Sequence, residues 1–277
     1  PNYSGLVSIL HPWESGYDNS PLWDKPLSEI KIEKSLKYKR GDNKIVDPDY
    51  RPLDIDYDRY VTIKNHLRKN KYDPKKLYET SMFNVVDVGF NSIFLKANKD
   101  LLKLLKKFNL EHSEIQKYSL RSENQIEKLY DKKKQSFVNF DLKNKRKIIV
   151  PSITNYFILF ADLKNKMINN KIIQNLKKHN SRKKFFFSSI KPNYNKYEEK
   201  RYWRGPVWIN CNWIIYQGLK DKDKKFAQIV RNKTIDLVRK NGFYEYFNTK
   251  TGKAYGAKNF SWTASLFLDL ILEKKYN

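Results

Sequence analysis

A chain of 277 residues, 40% hydrophobic, 15% aromatic and with only 9 glycines, can bury a sizeable core and is neither disordered nor collagen-like. Its 56 basic against 30 acidic side chains give a formal charge of +26, yet the lysines are spread among Asn, Ile and Tyr as compositional drift would spread them; only 183–204 interleaves rings and charges as a nucleic-acid groove would. The single Cys211 excludes an internal disulfide and points to a reducing, cytoplasmic compartment; His11, His66, His112 and His179 lack zinc-ligand spacing, and no segment reaches the roughly 18 apolar residues of a membrane span. One domain over 1–277 is expected, with no metal or cofactor, no nucleic-acid partner and no membrane.

Residues 5–10 are apolar and read as the last turns of a helix, which would deliver the chain into a loop at 11–24, His-Pro-Trp-Glu-Ser-Gly-Tyr-Asp-Asn-Ser-Pro-Leu-Trp-Asp. Pro12 and Gly16 interrupt helix there, and Pro21, with Asn19 or Ser20 as N-cap, can open the next one. Three carboxylates and two tryptophans so close together suit a sugar site: indole faces take the C–H face of a pyranose, carboxylates take its hydroxyls, and a carboxyl buried among rings keeps its proton near neutral pH. The same composition also suits a solvated loop joining two helices.

A modest helix over 22–37, a loop at 39–52 and a helix over 53–69 follow. Residues 83–108 carry the clearest helical pattern, with Val86, Phe90, Phe94, Ala97, Leu101, Leu104 or Leu105 and Phe108 forming a core-facing stripe. Asp87 and Asn91, one turn apart, are expected to cap backbone rather than face a cavity. Further helices are expected at 112–134, opened by a Ser113 and Gln116 capping box, and at 153–162, 167–179, 207–219 and 223–240, the last closed by Gly242. A final helix at 262–273 is apolar on several faces. Residues 137–150 read as loop or short strand and 181–201 as a long loop. Periodicity alone leaves toroid, bundle and solenoid open.

Two more motifs lie downstream: Tyr-Trp-Arg-Gly-Pro-Val-Trp at 202–208, and Gly-Phe-Tyr-Glu-Tyr-Phe at 242–247 followed by Phe-Ser-Trp-Thr-Ala at 260–264. With the 11–24 loop, in this order, they resemble glycoside hydrolase family 63 in its bacterial mannosylglycerate and glucosylglycerate hydrolase branch, a resemblance covering nearly the whole chain. It implies an all-α, (α/α)6 six-hairpin toroid and inverting hydrolysis of a small α-glycoside, a compatible-solute substrate such as glucosylglycerate or mannosylglycerate. An oligosaccharide-processing α-glucosidase of the same clan, or a non-catalytic basic binding protein, are the competing readings. Family domains begin with helices preceding the first loop, so the resemblance also implies a toroid incomplete on its N-terminal side.

By the same resemblance Asp18 is the general acid and Glu245 the general base. The rings of Trp13, Tyr17 and Trp23 would raise the pKa of Asp18, and the phenols of Tyr244 and Tyr246 would keep Glu245 ionised. Trp13, Tyr202, Trp203 and Trp208 would wall the sugar subsite, with Glu14 and Asp24, the rivals of Asp18, on sugar hydroxyls or in structural roles. Arg204 is expected to tie loops together through Glu14 or Asp24. Arg51 and Tyr57 match the family's aglycone reader, a guanidinium beside a phenol suited to a glycerate carboxylate, unless Arg51 pairs with Asp47, Asp49 or Asp54 on its own loop. Asn259 stands where that branch has Gln and is shorter by one methylene.

Overall fold

In the computed structural model, which describes residues 5–44, 46–180 and 187–273, the chain is predominantly helical. In chain order the helices are α1 (Asp24–Ser28), α2 (Asp54–Lys69), α3 (Pro74–Thr80), α4 (Val88–Lys107), α5 (Ser113–Ile126), α6 (Lys166–Asn180), α7 (Ile209–Leu219), α8 (Lys224–Asn241) and α9 (Ser261–Leu272). Their ends follow local chemistry. The Asp73 carboxylate caps α3 through the N–H groups of Lys75 and Lys76 with Pro74 at the first position, Asp87 caps α4 through Phe90, and Asp223 caps α8 through Phe226. Helix α2 carries Asp54 and Asp56 in its first turn and Arg68 and Lys69 in its last, both favourable to the helix dipole.

Helix α4 packs on α5 and on a 3-10 segment, Ile153–Leu159; that segment packs on α7, and α7 on α8 and α9. Short strands link the layers. β1 (Ser8–Ile9), β2 (Val85–Val86), β5 (Asn139–Asp141) and β6 (Arg146–Ile148) form one antiparallel sheet in the order β1-β2-β5-β6. β3 (Tyr130–Asp131) pairs with β4 (Ser136–Phe137), and β7 (Tyr244–Phe247) with β8 (Ala254–Lys258). The largest fully buried side chains include Trp23, Tyr60, Phe83, Phe157, Trp203, Trp208 and Tyr246, so the aromatic-rich segments of the sequence converge in the core.

Several expectations are corrected. Residues 5–10 contain no helix: Ser8 and Ile9 pair with Val86 and Val85, because an apolar run this short fits either period and a partner strand was available. The expected 22–37 helix is confined to α1, with Leu22, Trp23 and Leu27 buried in and before it. Helix α4 begins only at Val88, and its buried face is Val88, Asn91, Ser92 and Leu95; Phe94, Leu101, Leu104 and Phe108 are exposed, since the core meets only its first turns. His112, not Ser113, precedes α5, which stops at Ile126; the chain then turns into β3. Residues 153–159 are 3-10 rather than α, and α9 buries only Thr263 and Leu270. Asp87 and Asn91 do cap backbone: Asn91 exchanges hydrogen bonds with Val7 at 2.8 Å in both directions.

Candidate active site

Strand β1 leads into a 3-10 turn, Pro12–Ser15, whose ends are closed by side chains. His11 Nδ1 accepts from Trp13 N–H at 3.0 Å, and Glu14 Oε2 accepts from the N–H groups of Leu10 and His11 at 2.6 and 3.1 Å. Glu14, expected at a sugar hydroxyl or in a structural role, is thus a capping group with an exposed side chain. The other nitrogen of His11 donates to the Tyr60 carbonyl at 2.9 Å, and burial lowers the imidazole pKa to about 4, so His11 is a neutral strut.

Asp18 lies between fixed points. Tyr60 donates its O–H to the Asp18 carbonyl at 2.8 Å, and Trp23 Nε1–H donates to the Tyr17 carbonyl at 2.9 Å. The Tyr17 O–H donates to buried Asp87, which also accepts from Asn139 Nδ2 at 2.5 Å and Phe90 N–H at 2.6 Å. Tyr17→Phe removes one of these donors from a buried carboxylate. It should cost about 1–3 kcal/mol in urea unfolding and lower activity through a looser Asp18. Unchanged stability would show that the contact carries no weight. Asp18 itself is partly buried, and its pKa rises from the ordinary 3.8 to about 7: burial is the largest cause, opposed by its own backbone and by Arg51, and reinforced by Asp42 and Glu245.

Glu245 sits in β7. Phe247 exchanges backbone hydrogen bonds with Val207 at 2.7 and 2.9 Å, joining β7 to the 202–208 segment, while β8 pairs on the other side. The expected phenolic partners do not hold it. Arg51 Nη1 and Nη2 donate to Glu245 Oε1 and Oε2 at 3.1 and 2.9 Å, and Ala257 N–H donates to Oε2 at 3.0 Å. Both members of this ion pair are buried, at 8% and 5% exposure for Arg51 and Glu245. A two-pronged fork with a backbone N–H beside it suits a carboxylate anion. Arg51 therefore pairs with neither Asp47, Asp49 nor Asp54, and two of its N–H groups are committed across 194 residues of sequence.

Gly256 makes room for that carboxylate. Its φ is +74°, and a Cβ there would lie 2.5 Å from Glu245 Oε2 and 2.7 Å from Glu245 Cβ. Gly256→Ala should push Glu245 off the Arg51 fork and strain the hairpin, costing on the order of 1–3 kcal/mol and lowering kcat more than it raises KM. Native kcat in a folded variant would show that the placement of Glu245 is unimportant.

Rings surround the two acids. Trp203 and Trp208 stack at 3.7 Å with planes 4° apart, and Tyr246 stacks on Trp208 at 4.9 Å. Both indoles are 2% exposed, so they back the wall rather than form its surface, a correction imposed by their stacking on each other. Tyr202 stands edge-on to both, its ring centroid 4.7 Å from the Arg51 guanidinium carbon, on backbone with φ 23°, a conformation rare for a bulky residue. Its hydroxyl pKa is raised by burial first and then by Asp18 and Glu245, which places it within the field of both. Trp13 is 43% exposed and packs edge-on to Tyr57 at 6.4 Å.

Tyr57 bonds Asp42, and Arg40 lies 3.9 Å over its ring while pairing with Asp42 and Asp54; burial and Asp42 raise the phenol to about 12. Arg204 ties loops together as expected, with Nη1 and Nη2 2.8 and 2.9 Å from the Asp24 oxygens and Nε 2.6 Å from Glu198. Asn259 is exposed in a left-handed turn, φ 56°, and among the described residues its side chain has no hydrogen bond to either acid. Sequence reading missed His11, Asp42, Tyr60 and Gly256; only Tyr60 carried a signal, lying one turn from Tyr57 on the same face of α2. Among the described residues no group of three or more His, Cys, Asp or Glu could hold a metal ion, and no helix is long and apolar enough to cross a membrane.

The model of the mannosylglycerate hydrolase MGH1-like glycoside hydrolase domain matches residues 1–263. The chain belongs to that family. It is 38% identical to mannosylglycerate hydrolase of Thermus thermophilus over 97% of this chain and 65% of that protein, and 27% identical to glucosylglycerate hydrolase of Mycolicibacterium hassiacum over 97% of this chain and 62% of the relative. The chain thus spans somewhat less than two thirds of these relatives' length. A family 63 mannosylglycerate hydrolase of Thermus thermophilus, solved with Tris and D-glycerate, superposes with a TM-score of 0.92 at 38% identity, over 97% of this chain and 66% of that one. The MGH1-like assignment accords with a predominantly helical fold that frames two carboxyls with aromatic rings.

Proposed function

We propose that this MGH1-like domain is an inverting α-glycosidase on an (α/α)6 toroid, with Asp18 as general acid and Glu245 as general base. The observation that carries it is the unequal environment of two acids in one electrostatic neighbourhood: burial holds Asp18 protonated up to about pH 7, while Glu245 faces an arginine fork and a backbone N–H. Asp18 gives its proton to the glycosidic oxygen as the bond breaks. Glu245 takes a proton from a water that attacks the anomeric carbon on the opposite face, which inverts the configuration.

The substrate is a small α-glycoside whose aglycone carries a carboxylate, glucosylglycerate or mannosylglycerate, in line with the names of the relatives. Trp13 and Tyr202 present rings to the sugar, Trp203 and Trp208 support them, and Glu14 and Asn259 reach sugar hydroxyls only from the rim. Arg51 keeps N–H groups beyond the two given to Glu245, its Nε being buried without a partner, and the family resemblance assigns Tyr57, whose hydroxyl bonds Asp42, to the aglycone side. Glucosylglycerate should be hydrolysed with a kcat/KM at least roughly tenfold above that of the neutral glucosylglycerol, the effect of one charge-assisted hydrogen bond. Equal values would remove the carboxylate receptor and favour an oligosaccharide substrate.

A further inference from the structure

Glu198 stands between the loop that carries Asp18 and the fork that holds Glu245. Its Oε1 accepts from Arg204 Nε and its Oε2 from Arg201 Nε, both at 2.6 Å. The remaining nitrogens of the two arginines go to different parts of the site. Arg204 Nη1 donates to the carbonyl of Asn19, the residue after Asp18, at 3.4 Å, and its two Nη groups hold the Asp24 carboxylate at 2.8 and 2.9 Å. Arg201 Nη1 donates at 2.8 Å to the carbonyl of Arg51, whose own guanidinium grips Glu245. One carboxylate therefore fixes two arginines, each one step from a different acid.

The backbone between them is built for the same end. Glu198 N–H donates to the Arg204 carbonyl at 3.0 Å and Arg204 N–H to the Arg201 carbonyl at 2.9 Å, and a Cβ on Gly205 would lie 2.3 Å from the Glu198 carbonyl oxygen, so the chain folds back closely on itself. Arg201 and Arg204 flank Tyr202 and Trp203. The left-handed φ of Tyr202, 23°, persists only where its neighbours fix the chain on both sides. The Glu198 side chain is 42% exposed, and ion pairs that water reaches so freely contribute little to stability. Their value lies in where they place the arginines.

We infer that Glu198 is a positioning residue for both acids, orienting the Asp18 loop through Arg204 and the Arg51 fork on Glu245 through Arg201. The inference rests on the reading of Asp18 as acid and Glu245 as base. Steady-state kinetics of three variants on glucosylglycerate or mannosylglycerate, and on an α-glycoside of 2,4-dinitrophenol, a leaving group that needs no proton, test it. Glu198→Ala should lower kcat roughly tenfold or more on the glycerate glycoside, with KM moving less, since misplacing reacting groups costs turnover first. Arg201→Met should lose kcat equally on both substrates, because it loosens the base. Arg204→Met should lose it on the glycerate glycoside and largely regain it on the activated one, because it loosens the acid. On the activated glycoside Glu198→Ala should then fall only to the level of Arg201→Met. Arg204 also holds Asp24, so if its variant fails to fold, Arg201→Met and Glu198→Ala still decide the matter. Native kcat in Glu198→Ala, or one equal loss on both substrates in every variant, would overturn the proposal. Asp18→Asn and Glu245→Gln serve as controls: if they split between the substrates and the arginine variants do not, the coupling through Glu198 falls alone, whereas two controls that behave alike remove the reading of the acids and the inference with it.

Discussion

Asp18→Asn should cut kcat roughly 10²–10⁴-fold on glucosylglycerate or mannosylglycerate, the range over which a positioned acid assists departure of a poor leaving group. The loss should largely disappear with a 2,4-dinitrophenyl α-glycoside, whose phenolate departs without a proton. The pH profile carries the same information. Asp18 titrates at about 7, so activity of the native protein should fall as pH rises through that value, and this alkaline limb should vanish for the variant on the activated substrate. Stability runs with it. Because the folded-state pKa is raised above the ordinary 3.8, the contribution of Asp18 is fully present below about pH 4 and is lost as pH rises through about 7. Asp18→Asn should therefore gain thermal stability relative to native protein at pH 8 and little at pH 4. A variant that loses activity equally on both substrates, with unchanged pH dependence, would assign Asp18 a structural part only.

Glu245→Gln should be the more damaging change, because no leaving group spares the enzyme the need to activate water. Turnover should fall by at least the same roughly 10²–10⁴-fold, and the activated glycoside should not restore it. The amide keeps the volume of the side chain but brings an N–H₂ toward either the Arg51 fork or Ala257 N–H, two donors that cannot accept it. Leaving the buried guanidinium without its anion should destabilise the fold by about 3–5 kcal/mol, read from urea unfolding. Opposite rescue behaviour of the two variants on one activated substrate separates acid from base without appeal to folding. Rescue of Glu245→Gln by the activated glycoside would reverse the two assignments.

The long periodic helices were legible in the sequence: α2 and α8 fall where their apolar spacing places them, and Gly242 ends α8 at φ 82°. The exposure of Phe94, Leu101, Leu104 and Phe108 was not, since periodicity reports an apolar face without saying what covers it. Strands of two residues such as β1 and β2 are set by partners far along the chain and leave no local period. The same non-locality hid the central contact of the site. Arg51 and Glu245 each sit among nearby candidates of opposite charge, and only the fold reveals that they choose each other. The motif Gly-Phe-Tyr-Glu-Tyr pointed to the acid by resemblance, while the need for Gly256 beneath it lay in a φ angle and a 2.5 Å clearance.

Proton NMR of the anomeric region in the first minutes of hydrolysis tests the central claim most directly. With an α-linked glucosylglycerate or mannosylglycerate, the account predicts the β-anomer of the free sugar first, with the α-anomer growing in only at the rate of mutarotation. The α-anomer appearing first would mean retention, a covalent intermediate and a nucleophile in place of the Glu245 base, and would contradict the assignment of both acids.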